Sequence, residues 1–337
     1  MTEKAKPKVD TVRLQNMSRA FIESASMFAA IDLELFTAVE NGSNTVEKFA
    51  VHADISEVNA ERLMTMCATA GLISWADDHY INADDVQRFL VKGEKSYAGP
   101  WLTFTRPGWS NWGNLTEKLK NPDKATVIGS YETMTVDYAR TYHEATSSIG
   151  FGAGRRFNKQ VDLSRRTKMM DLGGGSGAYS IVAAQNNPNL SAVVFDLPPV
   201  VVVTKDFIEK NGVADQVSTQ GGDFTRNDFP QNCDVAVMAS NLPQYNRKII
   251  NQVVQKAFDA LLPGGEMHLI GEMLDDDRKG PMDAAIWGLM EVMSNSTGLA
   301  HSRKDCVQYF KQAGFENIEV HEFIPDILVR VTGAKPK

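Results

Sequence analysis

Residues 168–177, KMMDLGGGSG, decide the fold. A short apolar run ends at Leu172, and four glycines then fall within the next five positions. A strand that feeds such a turn lets the backbone approach a ligand closely. The chain downstream keeps alternating between strand and helix patterns. AYSIVAAQNN reads as a helix and SAVVFDL as a strand. PPVVVVTKDFIEKNG is a helix whose prolines suit a first turn, and QVSTQGGD and CDVAVMAS are further strands. The segment 247–262 is helical and stops at PGG, which leads into the strand EMHLIGEML. Helices at AAIWGLMEVMS and RKDCVQYFKQAGF then precede IEVHEFIPDILVRVTGA, a terminal antiparallel hairpin. The alternation specifies an α/β fold with a doubly wound, mostly parallel sheet of seven strands.

Upstream the pattern differs. RLQNMSRAFIESASMFAAIDLELFTAV is apolar at helical spacing, and NGS breaks the run, which implies two helices. TVEKFAVHA and AERLMTMCATAGL add two more, with Asp54 and Glu57 as a candidate helix start. LISWADDHYIN alternates around an Asp-Asp turn and reads as a hairpin, so residues 1–98 form a helical, winged-helix-like domain. Its would-be recognition helix, EVNAERLMTMCATAG, carries one Arg, two Glu and a Met-rich face, which suits dimerisation better than DNA. Residues 99–157 hold three of the five Trp, in GPWLTFTRPGWSNWGNL, ahead of an amphipathic helix. This region is a candidate substrate lid, and residues 158–337 form the third domain.

A net charge of −7 argues against a nucleic-acid partner, which would need clustered Lys and Arg. No apolar stretch approaches the roughly 20 residues that cross a bilayer, and the first ten residues lack a signal-peptide core, so the expected location is cytoplasmic. Cys67, Cys233 and Cys306 are far apart and read as buried reduced thiols. His52, His79, His268, His301 and His321 show no metal spacing.

Asp196 ends the second strand of the alternating part, where an acidic side chain accepts hydrogen bonds from ribose hydroxyls. Asp223, in GGDF, closes the third strand and can accept from an adenine amine, with Phe224 beside the ring. Helix capping or a solvated strand end is the plainer alternative for each acid. Together with Asp171, Gly173, Gly175 and Gly177, these residues resemble the class I S-adenosylmethionine-dependent methyltransferases. With the winged-helix-like front, the chain resembles the small-molecule O-methyltransferases of plants and bacteria. The resemblance implies S-adenosylmethionine as methyl donor, cofactor contacts that extend to Leu197 and Ser240, and a homodimer made through the N-terminal domain.

That family's pattern after the fourth strand is approximately V-L-H-D-W, in which His deprotonates a phenol. Here the stretch is ASNLPQYN. Leu242 falls on the Leu, Pro243 on the His, Gln244 on the Asp and Tyr245 on the Trp. The acid that would hold the His falls at Ala300 in GLAHS. No general base is expected, and with it goes roughly 10²–10⁴ in rate for a phenol whose pKa is near 10. A thioether sulfur has no proton to lose. The stretches DLGGGSGAYS, VVFDLPPVV, GGDFTR, ASNLPQYN and HLIGEMLDDD resemble the bacterial branch that S-methylates 4-methylthio-2-hydroxybutyrate in dimethylsulfoniopropionate synthesis. Candidate acceptor contacts are Arg106, Tyr131, Arg140, Tyr142, His143, Gln244 and Tyr245, with Trp287 and Met290 on a helix that the family places over the acceptor. O- or C-methylation of an aromatic acceptor, with His143 or Tyr245 handling the proton, is the alternative.

Overall fold

The computed structural model describes residues 9–121 and 123–337. It divides into two compact units, Met1–Thr105 and Arg106–Lys337.

In the first unit, helices α1 (Val12–Asp32), α2 (Leu35–Glu40), α3 (Val46–Ala53), α4 (Glu57–Thr69) and α5 (Asp84–Leu90) surround a core that includes Phe36, Phe49, Met64 and Ile73. Strands β1 (Ile73–Ala76) and β2 (His79–Asn82) form the hairpin, and α6 (Gly99–Leu102) follows. Asp77 and Asp78 both hold positive φ, 47° and 62°, the backbone a two-residue hairpin turn needs. The start of α4 differs from the sequence expectation. Ser56 caps it by accepting from the Asn59 N–H, while Asp54 sits in left-handed conformation at the end of α3. A serine with extended backbone one residue before the helix competes better for that N–H than an acid two residues further back. Helix α1 leaves Leu14, Met17, Phe21 and Ile22 exposed.

The second unit opens with the short helices α7 (Trp109–Gly113) and α8 (Leu115–Leu119), then α9 (Val136–Gln160), which runs through residue 157. Its sheet contains β3 (Lys168–Leu172), β4 (Ser191–Asp196), β5 (Val217–Gly221), β6 (Cys233–Ala239), β7 (Leu261–Gly271), β10 (Glu316–Ile324) and β11 (Leu328–Ala334). The order is β10-β11-β7-β6-β3-β4-β5. The strands from β7 to β5 are parallel, and β11 and β10 are antiparallel at one edge. Helices α10 (Ala178–Asn186), α11 (Pro198–Lys210), α12 (Arg247–Ala260), α13 (Met282–Met290) and α14 (Arg303–Ala313) complete the unit. This is the seven-stranded sheet that the alternation predicts.

Successive residues of β3 serve opposite faces, as strand geometry requires. Met169 packs with Phe157, Ile181 and Ala192, whereas Met170 and Leu172 pack with Phe195, Met238 and Tyr245. The chain leaves β3 toward β4 on one side and returns at β6 on the other. The ends of β3 and β6 therefore flank the switch point at which open α/β sheets hold ligands. Two details depart from the sequence reading. PGG lies inside β7 as a bulge, because Leu261 already pairs with Cys233 before Glu266 pairs with Val235. A two-residue parallel pair, β8 (Met273–Leu274) with β9 (His301–Ser302), ties the segment after β7 to the start of α14. Among the described residues no helix is long and apolar enough to cross a membrane.

Helix α9 reaches α10 through Gly154, where a Cβ would lie 2.9 Å from the Ala178 carbonyl oxygen. Gly154→Val should separate the two helices at a cost of about 1–3 kcal/mol, read as a melting temperature several degrees lower in calorimetry.

Candidate functional site

The glycine turn at the end of β3 is held from three directions. Gly173, Gly175 and Gly177 have φ of 66°, 56° and 76°, which an L side chain resists. Asp196 Oδ2 accepts from the Gly175 N–H at 2.8 Å, and its Oδ1 accepts from the Leu197 N–H at 2.7 Å. Thr204 Oγ1 donates to the Gly175 carbonyl at 2.6 Å. From the other side, Asn241 Nδ2 donates to the carbonyls of Gly173 at 3.0 Å and Ala239 at 2.8 Å. Asp171 is buried beneath the turn, where Ser180 Oγ donates to it at 2.8 Å, and a Cβ on Gly174 would meet its carboxyl carbon at 2.6 Å.

The donors to these two acids are neutral, a hydroxyl for Asp171 and backbone N–H groups for Asp196. Burial, helped by the nearby Asp196, pushes the Asp171 carboxyl up to about 6 against the opposing pull of Ser180. Burial also raises Asp196 to about 6, against the two backbone N–H groups. Both Asp196 oxygens keep a second lone pair, so a ribose diol can be added without breaking either bond.

Around this turn the structure gathers some of the candidate residues and not others. His143, on α9, lies over the glycine turn: a Cβ on Gly175 would be 2.6 Å from its Cε1. Its edge meets Tyr142 with ring centroids 5.0 Å apart, and burial lowers its pKa to about 4, so the imidazole is neutral. Burial pushes the Tyr142 phenol up to about 12 and those of Tyr131 and Tyr245 upward too, with each other's or neighbouring acids' charge adding to the effect. Tyr245 is buried and packs on Phe224 at 4.8 Å between centroids. Phe224 thereby belongs to the core cluster. Ser240 stands at the end of β6 with φ 58° and its N–H on the Ile270 carbonyl. Pro243 is buried, and Gln244 beside it is half-buried. Trp287 and Met290 are half-buried on α13, and the indole hydrogen-bonds Asp283.

Arg140 does not join them. It pairs with Asp206 of α11 at 2.7 Å on the outer face of α9, two positions round the helix from Tyr142. Arg106 is exposed in the turn that opens the second unit. Asp223 largely serves its own turn, with Thr225 N and Oγ1 on Oδ1 at 2.8 and 2.6 Å and Arg226 on Oδ2 at 3.5 Å.

Two buried acids were not singled out by the sequence. Glu272 follows β7, and burial, with Asp283 nearby, raises its carboxyl to about 7. Glu291 follows α13, shares a short hydrogen bond with Ser296, and is raised to about 7 by burial against that bond. Its charge is felt at Tyr131, Tyr142 and Tyr245. An acid in an otherwise apolar stretch, MEVM, was the one signal. Asn241 and Thr204 carried none, since their role lies in a turn made of distant glycines.

Residues 121–316 match the O-methyltransferase domain, and residues 15–92 match the O-methyltransferase dimerisation domain. The chain belongs to this O-methyltransferase family, and it is an S-adenosylmethionine-dependent methyltransferase. The dimerisation-domain match supports formation of a homodimer. The chain is 26% identical over 318 residues to 3-hydroxy-5-methyl-1-naphthoate 3-O-methyltransferase of Streptomyces sahachiroi, covering 92% of this chain and 91% of that protein. It is 26% identical over 303 residues to L-tyrosine C(3)-methyltransferase of Streptomyces lavendulae, covering 85% and 82%. Its fold superposes on human N-acetylserotonin methyltransferase in complex with S-adenosylmethionine with a TM-score of 0.79, at 21% identity over 99% of this chain and 100% of that one.

The raised Asp196 carboxyl has two measurable consequences. Its ionised form is the better acceptor for ribose hydroxyls, so donor affinity should weaken as pH falls below about 6, by up to about tenfold per unit. Its folded pKa lies above the ordinary 3.8, so the stability it contributes is complete below 3.8 and is lost as pH rises through about 6. Asp196→Asn should therefore bind donor weakly with little pH dependence, by calorimetric titration. The same variant without donor offers one acceptor to the two N–H groups and has no proton to lose, so it should lack the fall in stability between about pH 4 and 6 that the wild type shows in denaturation at a series of pH values.

Proposed function

We propose that this methyltransferase binds the donor with the glycine turn and Asp196, and transfers its methyl to the thioether sulfur of 4-methylthio-2-hydroxybutyrate, the S-methylation step of dimethylsulfoniopropionate synthesis. The observation that supports this acceptor is the loop after β6. Pro243 is buried where the family pattern carries its base, and Ala300 stands where the pattern carries the acid. His143 is a poor substitute. With a pKa near 4 it would take a phenol proton uphill by about six units, or roughly 8 kcal/mol.

A thioether removes that requirement. The donor supplies an electrophilic methyl: as the acceptor sulfur's lone pair forms a bond to carbon, the old carbon–sulfur bond breaks toward the donor sulfur. The positive charge passes between sulfurs and no proton moves. The chain then has to align the two sulfurs and exclude water. In this reading Gly173, Gly175, Gly177, Asp196, Leu197 and Ser240 form the donor wall over the buried Asp171, with Asp223 and Phe224 toward the adenine. The hydroxyls of Tyr131, Tyr142 and Tyr245 and the Gln244 amide are the groups able to orient the acceptor's carboxylate and hydroxyl. Trp287 and Met290 close the apolar side. The ring faces of the tyrosines and Trp287 favour a cationic sulfonium by about 0.5–2 kcal/mol each. The N-terminal unit forms the homodimer, its exposed Leu14, Met17, Phe21 and Ile22 suiting an interface. We assign the reaction to the cytoplasm, in keeping with three buried, unpaired cysteines.

A second reading has its own support. The matched relatives are named for aromatic acceptors, and Glu291 is an acid of about neutral pKa beside three tyrosines. On that reading Glu291 would accept the proton of an aromatic hydroxyl, or of a ring carbon after methylation. Labelled S-adenosylmethionine offered to methylthio acids, hydroxyindoles and hydroxynaphthoates separates the two. Thioether transfer should label the methylthio acid, with turnover flat from about pH 6 to 9 and within a few-fold of wild type in both His143→Ala and Glu291→Gln. Exclusive labelling of the aromatics, a rate that climbs about tenfold through pH 7, or a dead Glu291→Gln variant would overturn the thioether acceptor.

A further inference from the structure

The family pattern links the loop after β6 to the segment before α14 through side chains, an acid holding a base. Both side chains are absent here, yet the two segments remain joined. His301 is buried completely, with Nε2 2.8 Å from the Tyr245 carbonyl oxygen and Nδ1 2.9 Å from Tyr309 Oη. A carbonyl can only accept, so Nε2 carries the proton. Nδ1 is then bare, and Tyr309 donates to it. Thr297 Oγ1 accepts from Asn246 Nδ2 at 2.7 Å. A Cβ on Gly298 would overlap the Pro243 carbonyl oxygen and lie 2.6 Å from the Gln244 carbonyl carbon, so the two backbones touch. At its other end the loop is tied by Asn241 to the Gly173 carbonyl of the glycine turn. Tyr309 lies on α14, whose start is fixed by Ser302 and Asp305 capping each other.

We propose that His301, oriented by Tyr309, is a positioning residue for methyl transfer: it holds the Tyr245 carbonyl, and so sets the Leu242–Tyr245 loop at the distance from the glycine turn that the reaction requires. Tyr309, Thr297 and Gly298 complete the clamp. The effect is on alignment, and a misplacement of about 1 Å in such a site can cost roughly a hundredfold in rate. The inference rests on the methyl transfer, and it stands whichever acceptor is used.

The test compares His301→Leu, His301→Gln and Tyr309→Phe in the full-length protein. The measurements are S-adenosylmethionine affinity by titration, deuterium exchange of amides 241–246, and kcat and KM with 4-methylthio-2-hydroxybutyrate. His301→Leu should lower kcat about 10–100-fold, speed exchange in the loop, and leave donor affinity within about threefold. His301→Gln, whose amide can donate to the same carbonyl, should recover most of the rate. Tyr309→Phe, which removes one hydroxyl from a packed ring, should lower kcat about 3–10-fold and keeps the proposal testable if His301→Leu does not fold. A kcat within twofold of wild type in Tyr309→Phe and in folded His301→Leu, or a Gln variant no better than Leu, would overturn the clamp. A wild-type enzyme inert toward the thioether overturns only the acceptor proposed above. In that case unchanged loop exchange in Tyr309→Phe and folded His301→Leu sinks the clamp, and faster exchange supports it.

Discussion

The arrangement of the site depends on one carboxylate with its two oxygens on two different elements. Asp196 ends β4, accepts from Gly175 in the turn after β3, and accepts from Leu197 at the start of α11. Without it the glycine turn would have no reason to keep three positive φ angles, since glycine loses more backbone entropy than any other residue on ordering. Thr204 and Asn241 brace the same turn from α11 and from the end of β6. The bracing converges because β3 is flanked by β4 on one side and β6 on the other. The sheet order thus determines which side chains can reach the turn.

The bracing leaves the free protein with an acidic interior. Asp171, Asp196, Glu272 and Glu291 are all held at raised pKa by burial. Each therefore disfavours its own ionised form in the free protein, and a positively charged ligand relieves the penalty. A site that binds a sulfonium donor gains from such acids, because folding has already desolvated them and the positive charge draws them back toward ionisation. The raised pKa values of Tyr131, Tyr142 and Tyr245 keep their hydroxyls protonated, so the same region also carries neutral hydrogen-bond donors.

Much of the fold was legible because its signals are local. The glycine turn, the Pro-started α11, the hairpin around Asp77 and Asp78 and the seven strands each lie in contiguous sequence. Most of what escaped depends on partners far apart in the chain, and one case is a local contest. Ser56 outcompeting Asp54 for the start of α4 is a contest over one N–H group. The β8–β9 pair joins Met273 to His301, with all of α13 between them. Arg140 had the right residue type and the right helix but the wrong face, where Asp206 of another helix holds it. His143 stood among the sequence candidates, though its place over Gly175 appears only when α9 is laid on the turn.

The loop that carries Pro243 is packed by backbone as well as by side chains. Gly298 brings its backbone against Pro243 and Gln244, and Gly288 of α13 lies so near Ala300 that an added Cβ would sit 2.5 Å from the Ala300 nitrogen. Small residues at 288, 298 and 300 let the main chain of these segments pack closely on the loop after β6. The loop is then fixed by hydrogen bonds to carbonyls, which position without titrating: His301 to Tyr245, Asn241 to Gly173. A loop held this way keeps its place through fixed contacts, and methyl transfer, which needs its two reacting centres aligned, gains from that rigidity whichever acceptor is used.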